Sequence, residues 1–192
     1  MRSDKIIGLA LAATLFVACQ SDTYSIKGEA PEFADGTELY LTQAVGEHHV
    51  IDTVVVRDGR FSYSAPADEQ LLCLVPSGTS KPALYFFACP GNVYVELSPE
   101  EGQSRVSGTK VNNEWQALND TVAKYDHHLR SLFETDSLSL RKTFAETEQL
   151  YTTLTRRINE AALRNKDNAL GRFIDSHYLP KERFSKPAKP AP

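Results

Sequence analysis

The 192-residue sequence holds three cysteines, one tryptophan and one methionine, and no two cysteines form a C-x-x-C pair. Dithiol redox chemistry needs two neighbouring thiols, one with a lowered pKa to act as nucleophile, so it has no motif here. Long apolar runs are also scarce. The uncharged run near the start, residues 6–18, is 13 residues long, whereas a helix crossing a bilayer core needs about 20. Basic charge is not in excess: 21 Lys and Arg stand against 25 Asp and Glu, a net of −4. An acidic balance without a basic stripe argues against nucleic-acid binding. No phosphate loop, nucleophile elbow or partnered pair of carboxylates is present, so the sequence implies no cofactor and no catalytic residue.

What is there begins with an export signal. Arg2 and Lys5 precede the apolar run, and small Ala18 ends it, as in a secretory signal peptide. Cys19 follows at once, and "LFVAC" resembles the bacterial lipobox, whose thiol is diacylated before cleavage. On this reading residues 1–18 are a lipoprotein signal peptide, Cys19 is the lipidated first residue of the mature chain, and residues 19–22 are a tether. Its acyl chains would hold the protein at a membrane, each buried methylene adding about 0.8 kcal/mol. An ordinary signal peptide before an incidental cysteine is the alternative. The expected location is the cell envelope, with the outer membrane first. Without the leader the net charge is −5.

From residue 23 to about 110 the apolar pattern has period two, which marks half-buried strands. Ile26 alternates with Ser25 and Lys27, Leu39 and Leu41 with Tyr40 and Thr42, Val93, Val95 and Leu97 with polar neighbours. "LLCLV" and "LYFF" are continuous apolar runs that fit strands buried on both faces. Asp58-Gly59 between "VIDTVVV" and "FSYSA" is the strongest hairpin signal, because a type I′ turn needs positive φ at both central residues. Seven or eight short strands at this spacing predict a sandwich or an open barrel.

Beyond Gly108 the period becomes helical. Trp115, Leu118, Val122, Tyr125, Leu129 and Leu132 share one face, with Asn112 or Asn113 as the expected N-cap. A second stripe, Leu140, Phe144, Tyr151, Leu154, Ile158 and Ala161, follows a start near Asp136 or Ser137. A shorter helix is expected from about Asn168 to Tyr178, with Leu170, Phe173 and Ile174 inward. The Lys/Pro-rich residues 180–192 are read as a disordered tail. The predicted class is therefore α+β: an antiparallel β-sandwich-like domain over 23–110, then an α-helical segment over 111–179.

Several segments in order, "YSIKGEA", "DGTELYL", "IDTVVVRDGRFSY", "PGNVYVEL" and "VSGTKVNNEW", resemble a family. It is a domain of unknown function found N-terminal to the thioredoxin-like domain of bacterial thiol–disulfide interchange lipoproteins. The resemblance spans roughly residues 23–120. In such proteins a domain carrying Trp-Cys-x-x-Cys follows, and that motif is absent from this sequence, so thioredoxin-type activity is not carried over. The resemblance implies an accessory module, with a thioredoxin-like envelope protein as a partner encoded separately.

Three other groups are candidates for chemistry. A hairpin of "LLCLV" and "LYFF" centred on Gly78 and Thr79 sets Cys73 opposite Leu84 and Cys89 opposite Asp68. The two thiols are then too far apart for a disulfide, whose Cα atoms lie within about 7 Å, unless the strands belong to different sheets. Buried free thiols, a disulfide and a redox role all stay open. The histidine pairs His48–His49 and His127–His128 lack the converging ligands of a metal site, even with Glu47 and Asp126 added. Tyr40, Tyr85 and Tyr94 could form a stacking platform for a glycan or peptide if one sheet face carries all three. The expected function is a lipid-anchored, non-catalytic binding or scaffolding module. A thiol-dependent redox protein using Cys73 and Cys89, or a surface glycan- or peptide-binding lipoprotein, are the alternatives.

Overall fold

A computed structural model describes residues 22–46, 49–134 and 140–178. Cys19, the leader, most of the tether, Glu47, His48, the expected helix start near Asp136 and the 180–192 tail lie outside the described residues.

Eight strands precede three helices, an α+β fold. The strands are β1 (Thr23–Glu29), β2 (Glu38–Gln43), β3 (Val50–Val55), β4 (Arg60–Pro66), β5 (Leu71–Pro76), β6 (Leu84–Phe87), β7 (Gly91–Glu96) and β8 (Arg105–Ser107). They form two four-stranded sheets, ordered β4-β1-β7-β8 and β3-β2-β5-β6. All pairs are antiparallel except β1 with β7. The alternation read from the sequence decides the faces: Tyr24, Ile26, Leu39, Leu41, Val93 and Val95 point between the sheets and are buried. Gly28 is part of this packing, since the Phe61 ring occupies the space its Cβ would fill, at 2.1 Å.

The Asp58-Gly59 turn forms with φ of 51° and 65°, and Arg57 bridges Arg60. It does not make a continuous hairpin. β4 pairs along seven residues with β1, and β3 pairs with β2, so the turn is a corner at which the chain changes sheets. The β5–β6 hairpin is offset by one residue from the expected register. Cys73 faces Tyr85 rather than Leu84: the Ala83 N–H bonds the Leu74 carbonyl at 2.8 Å in the expected register, and the ladder then shifts by one residue so that Leu84 also faces Leu74. A one-residue slip turns a side chain to the other sheet face.

The helices are α1 (Lys110–Glu134), α2 (Leu140–Arg164) and α3 (Ala169–His177). The cap of α1 differs from the sequence expectation: Thr109 Oγ1 accepts the Asn112 N–H at 3.2 Å, which leaves both asparagine side chains for other work. Asn168 caps α3, accepting from Leu170 and Gly171. The α1 stripe packs as read, with Trp115, Leu118 and Leu132 buried. The α2 stripe is only half right. Ile158 and Ala161 are buried, but Phe144 and Tyr151 are 67% and 70% exposed. The reason is geometric: the C-terminal half of α2 packs against the start of α1, where Arg164 reaches Glu114, and against α3, whereas its first half has only the outer half of α1 beside it.

Candidate binding cleft at an unpaired seam

The sandwich has two long sides, and they are finished differently. On one side β8 and β6 are the outermost strands, and α1 lies along them. Asn112, fully buried, donates from Nδ2 to the Phe87 carbonyl at 3.0 Å and accepts the Phe87 N–H at Oδ1 at 2.8 Å. Trp115 Nε1 donates to the Tyr85 carbonyl at 3.0 Å. Gln116 Oε1 accepts the Val106 N–H on β8 at 2.9 Å, and Asn113 Oδ1 the Gly108 N–H at 3.0 Å. Four side chains of one helix thus take the place of the neighbouring strand that these edges lack, which an unpaired buried backbone group requires.

Among the described residues the other side has no such cover. There β4 and β3 are outermost, and beyond the Arg57–Arg60 bridge no ladder joins them. The directions of their free groups follow from the ladders. Ala30 N–H donates to Gly59 O at 2.7 Å and Val56 N–H to Thr37 O at 2.9 Å. In an antiparallel pair every second residue bonds the partner. Phe61 and Tyr63 therefore turn their main-chain groups to β1, while Ser62 and Ser64 turn theirs outward. On β3, Val54 bonds β2, while Thr53 and Val55 turn outward.

Along this seam runs an open cleft of about 1020 Å³. It is lined by residues 53–55 and 60–63 together with Lys27, Glu29, Arg57, Tyr94 and Glu96. Among the described residues none of Lys27, Glu29, Arg57, Arg60 and Glu96 forms an ion pair. At the mouth, Tyr63 approaches Asp52, and burial followed by that carboxylate holds the Tyr63 phenol above its ordinary range. The cleft offers main-chain donors and acceptors, charges of both signs and an aromatic face.

The residues singled out in the sequence fall elsewhere. Cys73 and Cys89 are both free and buried. From Cys73, opposite Tyr85, to Cys89 the sheet runs on four residues, about 13 Å, so the two cannot bridge. Burial pushes the Cys73 thiol up, partly offset by Thr42, whose Oγ1 lies 2.9 Å from its sulfur. Burial, then the nearby Glu69 carboxylate, pushes Cys89 up to about 12. Thiols held protonated in this way are poor nucleophiles. The tyrosines do not share one face. Tyr40 and Tyr85 stand on the outer face of the β3-β2-β5-β6 sheet, Tyr94 on the other sheet. Among the described residues no three His, Cys, Asp or Glu side chains converge as a metal site, and no helix is long and apolar enough to cross a membrane.

The amide cluster of α1 escaped the sequence reading, which took Asn112 and Asn113 as caps. Its signal is visible in "VNNEWQ": amides at 112 and 116 flank Trp115 on the buried face, where a simple amphipathic helix would carry aliphatic residues.

No curated protein matches the chain. A family model described as "Domain of unknown function (DUF4369)" matches residues 24–115, from the first strand to the Trp115 turn of α1.

Proposed function

We propose that this is a lipid-anchored cell-envelope protein whose sandwich binds an extended polypeptide segment and performs no chemistry of its own. The observation that carries the reading is the contrast between the two long sides: one is closed by side chains of α1, and the other presents two strand edges across a cleft. An added strand gains affinity from main-chain hydrogen bonds and specificity from its alternate side chains. Here those side chains would meet Lys27, Arg57 and Arg60 on one hand and Glu29 and Glu96 on the other. β3 and β4 run antiparallel, so an inserted strand is parallel to one and antiparallel to the other. The lipobox-like "LFVAC" supports anchoring at Cys19 and a place in the outer membrane. The resemblance to the accessory domain of thiol–disulfide interchange lipoproteins suggests a thioredoxin-like protein as the partner. Both buried thiols of this chain support a role without redox turnover.

The test is site-specific photo-crosslinking in cells that make the full chain. A photoreactive residue at Ser62 should capture a discrete envelope polypeptide, and one at Glu148, exposed on α2, should not. Ser62→Pro, which removes an outward N–H, should weaken capture from a probe at Thr53. Equal capture from both faces, or none from the cleft, refutes the reading.

A further inference from the structure

The two ends of the sandwich differ as much as its two sides. β1 begins at Thr23, opposite Pro66 at the end of β4. Asp22 O accepts the Ala67 N–H, Ala44 donates to Leu71 O, and Ala88 donates to Gln70 O. The chain entry, the β2–β3 connection, the β4–β5 connection and the end of β6 are therefore at one end. At that end three aliphatic side chains are left in solvent: Val45, Val50 and Ile51, at 50%, 53% and 44% exposure. Ile51 is the extra residue of a bulge, since Leu41 faces Asp52 and Thr42 faces Val50. α1 runs the other way. Asn112 bonds Phe87 at the entry end, Trp115 bonds Tyr85, and Arg105 pairs with Asp120 towards the far end. Phe133 and Phe144, exposed as well, thus project beyond the far end.

We infer that the Val45–Val50–Ile51 end lies against a neutral lipid surface, so that the domain stands upright on its membrane with the α1–α2 tip pointing away. This rests on the reading of Cys19 as the acylated residue. From Cys19 to Thr23 the chain can span at most about 14 Å. That is less than the length of the sandwich itself, whose seven-residue strands run about 23 Å. The entry end is consequently the part within reach of the headgroups, and its aliphatic trio can sink into the interface, about 5–10 Å deep. Charge selects the lipid. Asp22, Asp52, Asp68 and Glu69 sit at this end against Arg172, which is paired to Glu69, and Lys110 at the start of α1, so the end stays net acidic and favours zwitterionic over anionic headgroups.

The experiment uses full-length protein extracted with its lipid and reconstituted on phosphatidylcholine vesicles. Because Cys73 and Cys89 are buried, Ile51→Cys and Phe144→Cys variants can each be labelled at one place with an environment-sensitive dye. Nitroxide-labelled lipid should quench the dye at position 51, with a blue-shifted emission, and leave the dye at 144 unchanged. Intact mass of the same sample reports acylation. An acylated protein whose position 51 is not quenched overturns the orientation and leaves the anchor standing. An unacylated mass overturns the anchor and the orientation together. Equal quenching at 51 and 144 means the domain lies flat, which also refutes the proposal.

Discussion

Replacing Asn112 by leucine tests whether α1 belongs to the sandwich or merely follows it. The asparagine is fully buried and satisfies both main-chain groups of Phe87. Leucine keeps the branching of asparagine without a polar atom, and its two methyl groups are bulkier than the amide, so the change removes two hydrogen bonds and crowds the buried site rather than opening a void. Each buried backbone group left without a partner costs about 1–3 kcal/mol, or roughly 2–6 kcal/mol for the pair. The added apolar surface returns up to about 1.5 kcal/mol. Crowding by the larger side chain adds about 1–3 kcal/mol, so the expected loss is about 1.5–7.5 kcal/mol, a large share of the ~5–15 kcal/mol that holds a domain together. Urea unfolding followed by Trp115 fluorescence and by far-ultraviolet circular dichroism measures it. Both probes should shift to lower urea together, because Trp115 is bonded to Tyr85 on the same strand. Asn112→Asp keeps the acceptor for the Phe87 N–H and sets a second oxygen against the Phe87 carbonyl, so it should destabilise at least as much at neutral pH. A loss below about 0.5 kcal/mol for leucine, in the range of ordinary surface changes, would refute the strand-replacing role. So would a helical signal that melts separately from the sheets.

Other outcomes follow from single contacts. Cys89, raised from 9.0 to about 12, keeps its proton in the folded chain while the unfolded chain releases it. Stability should therefore be complete below pH 9 and fall as pH rises towards 12, by at most about 1.4 kcal/mol per pH unit; Cys89→Ala should remove that part of the alkaline slope of the urea midpoint. Gly59→Ala puts a Cβ into the left-handed region and 3.2 Å from the Pro31 Cα, which should cost about 1–2 kcal/mol in urea unfolding. Trp115→Phe keeps an aromatic ring against Phe87 and Phe173 but orphans the Tyr85 carbonyl, for a loss of about 1–3 kcal/mol in a thermal melt corrected to one temperature. Phe144→Ser, at a largely exposed position, should change stability by less than about 0.5 kcal/mol.

Period-two alternation was legible because one face of each strand meets the other sheet, and that is a local property of the chain. The class and the helix sequence followed from it. Sheet membership was not legible. Asp58-Gly59 encodes a turn, and the turn forms, but which partner each flanking strand takes depends on β1 and β2, distant along the chain, through ladders such as Ile26–Tyr63 and Leu39–Val54. The Cys73 register escaped because the one-residue shift lies between the Ala83–Leu74 bond and the β5–β6 ladder, where no residue type marks it. The exposed half of the α2 stripe shows the limit of periodicity: Phe144 and Tyr151 have core spacing, yet no sheet lies beneath them. The cleft was the least visible feature, because main-chain edges leave no residue type in a sequence. Lys27 and Ser62 come together only through the β1–β4 ladder, and Thr53 joins them only where the two sheets meet along the seam.

The parallel β1–β7 pair has a mechanical consequence. The first strand is an inner one, held by β4 along Thr23–Glu29 and by β7 along Tyr24–Glu29. A pull on the N-terminus acts along these ladders and must break their hydrogen bonds in shear, many at once. An edge strand pulled from its end would peel, one bond at a time. A domain tethered at its first residues and tugged by whatever it holds would thus resist unfolding at the very point where the load enters.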